Sequence, residues 1–510
     1  MYTFSSKLKT ISFILMVIGA IGIGYGFLSA PKTIQDVEKI LKAEEHEGGH
    51  EGAKHEIEID VNKKIDGHNE VVTKVEKTEV TTEEVKGNAI EEAFKKSDSL
   101  LVADADVSES ETPVVVETFK RHKKSEAEEK IEKEKEHKEH LEHTLTQYQN
   151  KPWAALYVAC LFIMLISLGV LVFYAIQQVA QSGWSPVLFR VMQGITAYLP
   201  VGSVILFLLL ILSGLNYNHL FAWTVDGISV PGSEHYDKVI AGKSGYLNFP
   251  FWIIRAAIFL IGWNLYRHFS RKNCLAQDES NNNDNYKKNF KLSAGFLVFF
   301  IVTESIMSWD WIMSVDPHWS STLFGWYVFA SFIVSAVTTI SIVTLYLKSK
   351  GYLEFVNTSH IHDLSKFMFG FSVFWTYLWF SQFMLIWYSD IPEEVTYFVT
   401  RINVYNLPFF GAVAMNFLFP LLVLINTDFK RVFPIVVGAG IVILCGHYID
   451  FFNMIMPATV GEHWFIGVSE IGSLLFFIGL FIFVVFTALT KVPLLAKRNP
   501  FIEESKHFHY

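Results

Sequence analysis

Cysteine is nearly absent from the chain, and no framework can be built from what there is. Cys160, Cys274 and Cys445 lie far apart and form no CxxC, CxxCH or four-cysteine set. That spacing excludes a disulfide scaffold and leaves no ligand set for zinc, an iron–sulfur cluster or covalent haem. Paired histidines at matching depth are missing as well. His219, His268, His447 and His463 have no in-span spacing suited to a b-type haem, so no haem held by this chain is expected. Any redox centre has to come from a partner. Lys and Arg are missing from the connections 314–321 and 458–463, an absence that bears on orientation.

What the chain does have is apolar surface. Of its 510 residues 51% are hydrophobic and 15% aromatic, with mean hydropathy +0.30. A soluble domain of that composition would expose too much apolar area. The net charge of −9 is uneven: residues 31–150 hold 31 acidic and 19 basic side chains, which leaves the remainder slightly basic. The chain reads as an all-α integral membrane protein of about ten transmembrane helices, with a long hydrophilic insert after the first. Residues 1–30 form the first helix, 31–150 the insert, 151–490 a nine-helix membrane domain and 491–510 a tail.

The first apolar run, Ile11 to Ser29, follows Lys7 and Lys9. Leu28-Ser29-Ala30 is a poor signal-peptidase site, so a retained helix is expected over a cleaved signal. Its Gly19, Gly22, Gly24 and Gly26 would let another helix approach closely. The insert has no sustained apolar period and cannot repay chain entropy by burial, so most of it is expected to be extended or disordered alone. From Lys120 to Gln149 the mix of Glu and Lys fits a charged, solvated helix. That helix accounts for His137, His140 and His143 more simply than a metal site does.

Nine further runs follow, near 153–177, 187–213, 248–269, 292–313, 322–347, 364–388, 402–426, 433–457 and 464–488. Each can cross about 30 Å of hydrocarbon at about 1.5 Å per residue. Basic residues cluster in alternate connections: Arg267, Arg271, Lys272, Lys287, Lys288 and Lys291; then Lys348, Lys350 and Lys366; Lys430 and Arg431; Lys491, Lys497 and Arg498. Ten helices with both termini in the cytoplasm satisfy all of these, with the insert outside.

Ionisable groups within spans are costly and mark candidate sites. Arg255, Glu304, Asp310, His447, Asp450 and Glu470 all fall in the outer half. They are expected to form a connected polar cluster if their helices are neighbours, handling protons or contacting a quinone. His447 and Asp450, three residues apart, share a helical face. In the bland alternative, Arg255 is salt-bridged to Glu304 as a packing device and Asp310, Asp390 and Glu462 are wet interface residues. The inner half offers Gln193, Tyr198, Gln382 and Asn416, either a water-bridged proton path or interhelical hydrogen bonds. Trp309, Trp311, Trp319, Trp326 and Trp387 read as interface anchors.

Three segments together carry a family resemblance: Ser308-Trp-Asp-Trp-Ile-Met-Ser314 with Val315-Asp-Pro-His-Trp319 and Ser321-Thr-Leu-Phe-Gly325; Phe380-Ser-Gln-Phe-Met-Leu-Ile-Trp-Tyr388 with Ile391-Pro-Glu-Glu394; and Gly446-His-Tyr-Ile-Asp450 running to Met456-Pro457. Over roughly 150–490 the chain resembles a multi-pass membrane subunit of bacterial alternative complex III, a quinol:cytochrome c (or electron acceptor) oxidoreductase. That subunit is similar to the NrfD/polysulfide-reductase membrane family. The resemblance implies two four-helix bundles, runs 2–5 and 6–9, flanked by runs 1 and 10. It implies residence in a bacterial inner membrane with the insert periplasmic, beside an NrfD-like sister subunit, an iron–sulfur protein, c-type cytochromes and, in some complexes, a terminal oxidase. Haem c and iron–sulfur clusters would belong to those partners, and quinol to this chain or its sister. Two alternatives stand beside this reading: a purely structural subunit of such a complex, and a proton-coupled secondary transporter.

Overall fold

The computed structural model describes residues 2–47, 126–233 and 235–509. The expectation of an extended or disordered insert lies, for residues 48–125, outside the described residues. The chain divides into two units, Met1–Leu41 with His137–Tyr510, and Lys42–Glu136. Of the second, only helical ends are described.

All regular structure among the described residues is helical, and ten helices are long and apolar enough to cross a membrane. In chain order these and two further helices are α1 (Ser6–Ser29), α2 (Ile34–Glu47), α3 (Glu126–Val179), α4 (Pro186–Gly214), α5 (Phe249–Glu279), α6 (Asp284–Val315), α7 (Phe324–Ser349), α8 (Thr358–Ser389), α9 (Pro392–Asn403), α10 (Asn406–Leu424), α11 (Phe433–Val460) and α12 (Val468–Leu489). The protein is a multi-pass membrane protein. His137, His140 and His143 are exposed on α3, as the solvated-helix reading requires.

Two boundaries differ from the sequence reading. The run drawn as 402–426 breaks at Val404–Tyr405. Residues before the break form α9, which buries Tyr397, Phe398 and Arg401, and α10 starts afresh with Asn406-Leu-Pro. Several helices also continue past the apolar run into polar sequence. The extension of α8 back to Thr358 is held by Asn357, whose Oδ1 accepts from the N–H groups of Ser359 and His360.

Helices α3, α4, α5 and α6 form one bundle, and α7, α8, α10 and α11 a second. The first helix of each is the most enclosed: the apolar window is 94% buried in α3 and 89% in α7. They meet directly, with Gly169 of α3 against Ala336 and Phe332 of α7. The halves repeat locally. Asn248-Phe-Pro-Phe251 opens α5 and Asn406-Leu-Pro-Phe409 opens α10; Val315-Asp-Pro-His-Trp319 ends α6 and Val460-Gly-Glu-His-Trp464 ends α11; Tyr157-Val158 and Tyr327-Val328 sit near the start of the spanning part of α3 and α7.

Helices α1 and α12 flank the bundles and pack on each other through glycines. A Cβ on Gly22 would lie 2.8 Å from Gly472 Cα, and one on Gly19 2.4 Å from the Phe476 nitrogen. Such backbone approach needs hydrogen in place of a side chain. Gly26 is similarly close to Ser469, but Gly24 faces open space and takes no part, contrary to expectation.

The helix ends define two faces. On the insert face, where the chain leaves α1, Gln149 donates to the Pro31 carbonyl at 3.3 Å. On the opposite, tail face the C-terminal segment is packed down rather than free. Ser505 Oγ donates to the Trp184 carbonyl at 2.6 Å, its own carbonyl lies 3.0 Å from His360 Nε2, and Lys497 N–H donates to Asp278 at 2.9 Å. Tyr2 is buried on this face against Tyr352 and Phe486.

Candidate functional site

The six sequence candidates separate into four places instead of one cluster. Arg255 pairs with Asp310, not Glu304: Nε donates to Oδ2 at 2.7 Å and Nη2 to Oδ1 at 2.9 Å. The reason is axial position. Arg255 lies two turns into α5 from the insert face and Asp310 near the end of α6 on that face, whereas Glu304 sits nearly two turns deeper. The guanidinium also stacks between Tyr246 and Phe251, 4.0 and 4.2 Å from the ring centres. The Asp310 carbonyl accepts from Trp252 Nε1 at 2.8 Å. With its charge matched bidentately and its neighbours locked, this pair is a clamp between α5 and α6.

Glu470 lies in the first turn of α12, where its Oε2 accepts from the Gly467 N–H at 2.9 Å. It satisfies an orphan donor at a helix start, in a place where negative charge is favoured. Glu304 is buried on α6, with Ser308 and Ser305 hydroxyls donating at 3.2 and 3.3 Å and no basic partner among the described residues.

Asp450 and His447 stay together and acquire a shell the sequence reading missed. Asp450, on α11, is 2% exposed. The Tyr327 hydroxyl of α7 donates to its Oδ1. Its Oδ2 accepts from Ser331 Oγ at 2.7 Å and from Trp375 Nε1 of α8 at 2.9 Å. Ser331 Oγ also lies 2.9 Å from His447 Nδ1. The serine has one proton, and giving it to Asp450 leaves its oxygen to accept from Nδ1–H in one imidazole tautomer. The result is a chain from His447 through Ser331 to Asp450, drawn from α7, α8 and α11, in which every donor is neutral and, among the described residues, no Lys or Arg pairs with the carboxylate.

Asn416 joins this site rather than an inner path. Its Nδ2 lies 3.4 Å from His447 Nδ1. Two local features bring it there. Residues Ala414–Leu418 are π-helical, which rotates Asn416 inward. Gly446 opposite has no Cβ, where one would fall 2.1 Å from Asn416 Oδ1. Gln382 also leaves the inner set: it lies in the last two turns of α8, beyond Trp375 towards the insert face.

Gln193 does belong to the tail-face half, in a network around the Tyr174 hydroxyl. Gln178, Gln193 and Asn289 amides lie 3.0, 3.1 and 3.1 Å from that oxygen. Arg190 bonds Gln193 at 2.8 Å and pairs with Asp278 at 2.5 Å. A small polar cavity beside this network is lined by Gln277, Asp278, Asn285 and Asn499. Tyr198, though buried, makes no hydrogen bond there.

Tyr327 and Ser331 were hidden by the apolar run around them, and Trp375 by the general abundance of aromatics. Arg401 had a usable signal: it is an arginine beside a span end on the face otherwise poor in basic residues. Among the described residues no group of three or more His, Cys, Asp and Glu is placed to hold a metal ion. No protein-family model matches the chain, and no curated protein matches it.

Proposed function

We propose that this chain is a membrane subunit of a quinol-oxidising respiratory complex of the alternative complex III type, in a bacterial inner membrane, and that its part is proton transfer through Asp450, Ser331 and His447. The observation that carries the proton role is a fully enclosed carboxylate with three neutral donors, a histidine one serine away and no Lys or Arg paired with it among the described residues. A carboxylate meant only to hold helices together would be matched as Asp310 is. One left without a cation can change protonation state without breaking an ion pair. The resemblance over residues 150–490 supplies the complex, its electron acceptor (cytochrome c or an oxidase) and its partners: an NrfD-like sister subunit, an iron–sulfur protein and c-type cytochromes. The alternating basic connections support cytoplasmic termini and a periplasmic insert.

In this reading quinol is oxidised at this chain or its sister, and the protons leave on the insert face. The electron-carrying groups belong to partner subunits. Asp450 holds the proton, Ser331 orients it and couples it to His447, and Tyr327 and Trp375 set the carboxylate geometry. Glu304 is the second protonatable group, at a depth in α6 similar to that of Asp450 in α11.

The test is the purified complex with Asp450→Asn and, separately, Glu304→Gln. Asp450→Asn is expected to lower quinol-driven turnover or proton release by about 10²-fold. Co-purification of c-type haem and an iron–sulfur subunit, reduced by quinol, is the accompanying expectation. Wild-type turnover and proton yield in both variants would remove the assignment. A second reading, a proton-coupled transporter, is favoured by the π-helical break in α10 beside the site, since transporters place substrate at interrupted helices. Substrate-dependent uptake by the isolated chain in liposomes would establish it instead.

A further inference from the structure

Between the Asp450 shell and the insert face lies a small cavity lined by Tyr327, Gln382, Tyr397, Arg401 and Asn453, with Trp379, Phe398 and Phe409 as apolar walls. Three features single it out. Gln382 is 3% exposed, yet neither its Nε2 nor its Oε1 has a hydrogen-bond partner, and Asn453 Oδ1 has none. An amide buried without partners is costly, by about 1–3 kcal/mol for each group. Arg401 is 5% exposed and forms no ion pair among the described residues; its Nε donates to the Asn453 carbonyl at 3.0 Å and its Nη1 to the Tyr397 carbonyl at 2.8 Å. Tyr327 both lines the cavity and donates to Asp450.

The space suits about one water molecule, and the lining offers the two to four polar partners that a buried water requires. A ligand with a ring does not fit, because Trp379, Phe398 and Phe409 already contact one another at 5.4 to 6.1 Å between centres. We propose that Gln382, Asn453, Arg401 and Tyr327 seat a water molecule that receives protons from Asp450 through the Tyr327 hydroxyl and passes them towards the insert face. This rests on the proton-transfer reading above and adds an outlet to it.

The step balances without a charged tyrosine. The Asp450 carboxyl gives its proton to the Tyr327 oxygen as the phenolic proton moves to the water, which leaves a carboxylate, a neutral phenol and a surplus proton beyond it. Arg401 keeps the seat from storing the proton. Its fixed positive charge beside the seat raises the energy of a resting hydronium, so a proton crosses but does not stay, and the net direction comes from quinol oxidation. Gln382 is a positioning residue, since it touches the water and not the carboxylate.

Two measurements test this on the purified complex. In a cryo-electron microscopy map that resolves ordered waters, density is expected within hydrogen-bond distance of Gln382 and Arg401; a map showing waters elsewhere and none here overturns the seat. Gln382→Leu, which fills the space with methyl groups, is expected to slow quinol-driven proton release at least about tenfold. Leu385→Ala, an exposed position about one turn further along α8 and outside the cavity, should keep the wild-type rate, and both variants should keep the wild-type denaturation temperature. Wild-type release in Gln382→Leu overturns the relay. If Gln382→Leu does not assemble, the wild-type map alone decides the seat. Full activity in Asp450→Asn would instead sink the underlying reading, whatever the map shows.

Discussion

At the scale of single residues, the two buried aspartates invite a direct contrast. Tyr157 of α3 donates to the Trp311 carbonyl at 2.8 Å, next to Asp310, while Tyr327 of α7 donates to Asp450 itself. The two carboxylates thus lie on matching helices of the two bundles, Asp310 nearer the insert face than Asp450, with opposite electrostatic surroundings. Arg255→Gln strands Asp310 as a buried charge and is expected to cost about 3–5 kcal/mol of stability. The double variant Arg255→Gln/Asp310→Asn should recover much of it in thermal denaturation of the complex. Asp450→Asn removes no ion pair, so its denaturation temperature should fall far less than that of Arg255→Gln, even as turnover collapses. A larger fall in Asp450→Asn would make Asp450 the structural group and Asp310 the free one.

At the scale of elements, the glycine seam predicts a position-specific response. Gly22→Leu must push α1 from α12 and is expected to destabilise their contact by about 1–3 kcal/mol. Gly24→Leu, facing open space, should stay within about 0.5 kcal/mol. Cross-linking yield between cysteines introduced on α1 and α12 distinguishes them. A second element, the short helix Lys238–Lys243, is capped by Asp237, whose Oδ1 accepts from Val239 and Ile240 N–H and whose Oδ2 lies 2.7 Å from His318 Nε2. The Ile240 bond, then His318, holds the Asp237 carboxyl below its ordinary value. A lowered carboxylate stabilises fully above its unfolded value, about 3.9, and loses that contribution as pH falls through the folded value. Amide exchange at Ile240 should therefore accelerate, relative to its neighbours, only below about pH 4, and Asp237→Asn should abolish that step. The ten spans were legible because a membrane span announces itself by length and apolarity alone. The site was legible only where charge interrupts a span, as at His447 and Asp450. Ser331 and Asn416 were not assignable from sequence, because their role depends on which helices pack together and on a π-helical turn that no periodicity encodes.

At the scale of the whole molecule, the tail segment packs against the polar half of the first bundle. Ala496 and Asn499 line the cavity that also borders Cys274, which is buried. Removing residues 491–510 should raise maleimide labelling of Cys274 several-fold, while Cys160, enclosed in α3, stays unreactive; an unchanged Cys274 would show that the tail seals nothing. The same segment carries a consequence for biosynthesis. Ser505 joins Trp184, Val187 and His360, residues that belong to different bundles and are made far apart in time. These bonds close only after Ser505 has left the ribosome, by which time all ten spans have been made. A nascent chain stalled before that point would hold all ten spans and still expose an unfinished surface, one that quality-control machinery on that side of the membrane could distinguish from the completed protein.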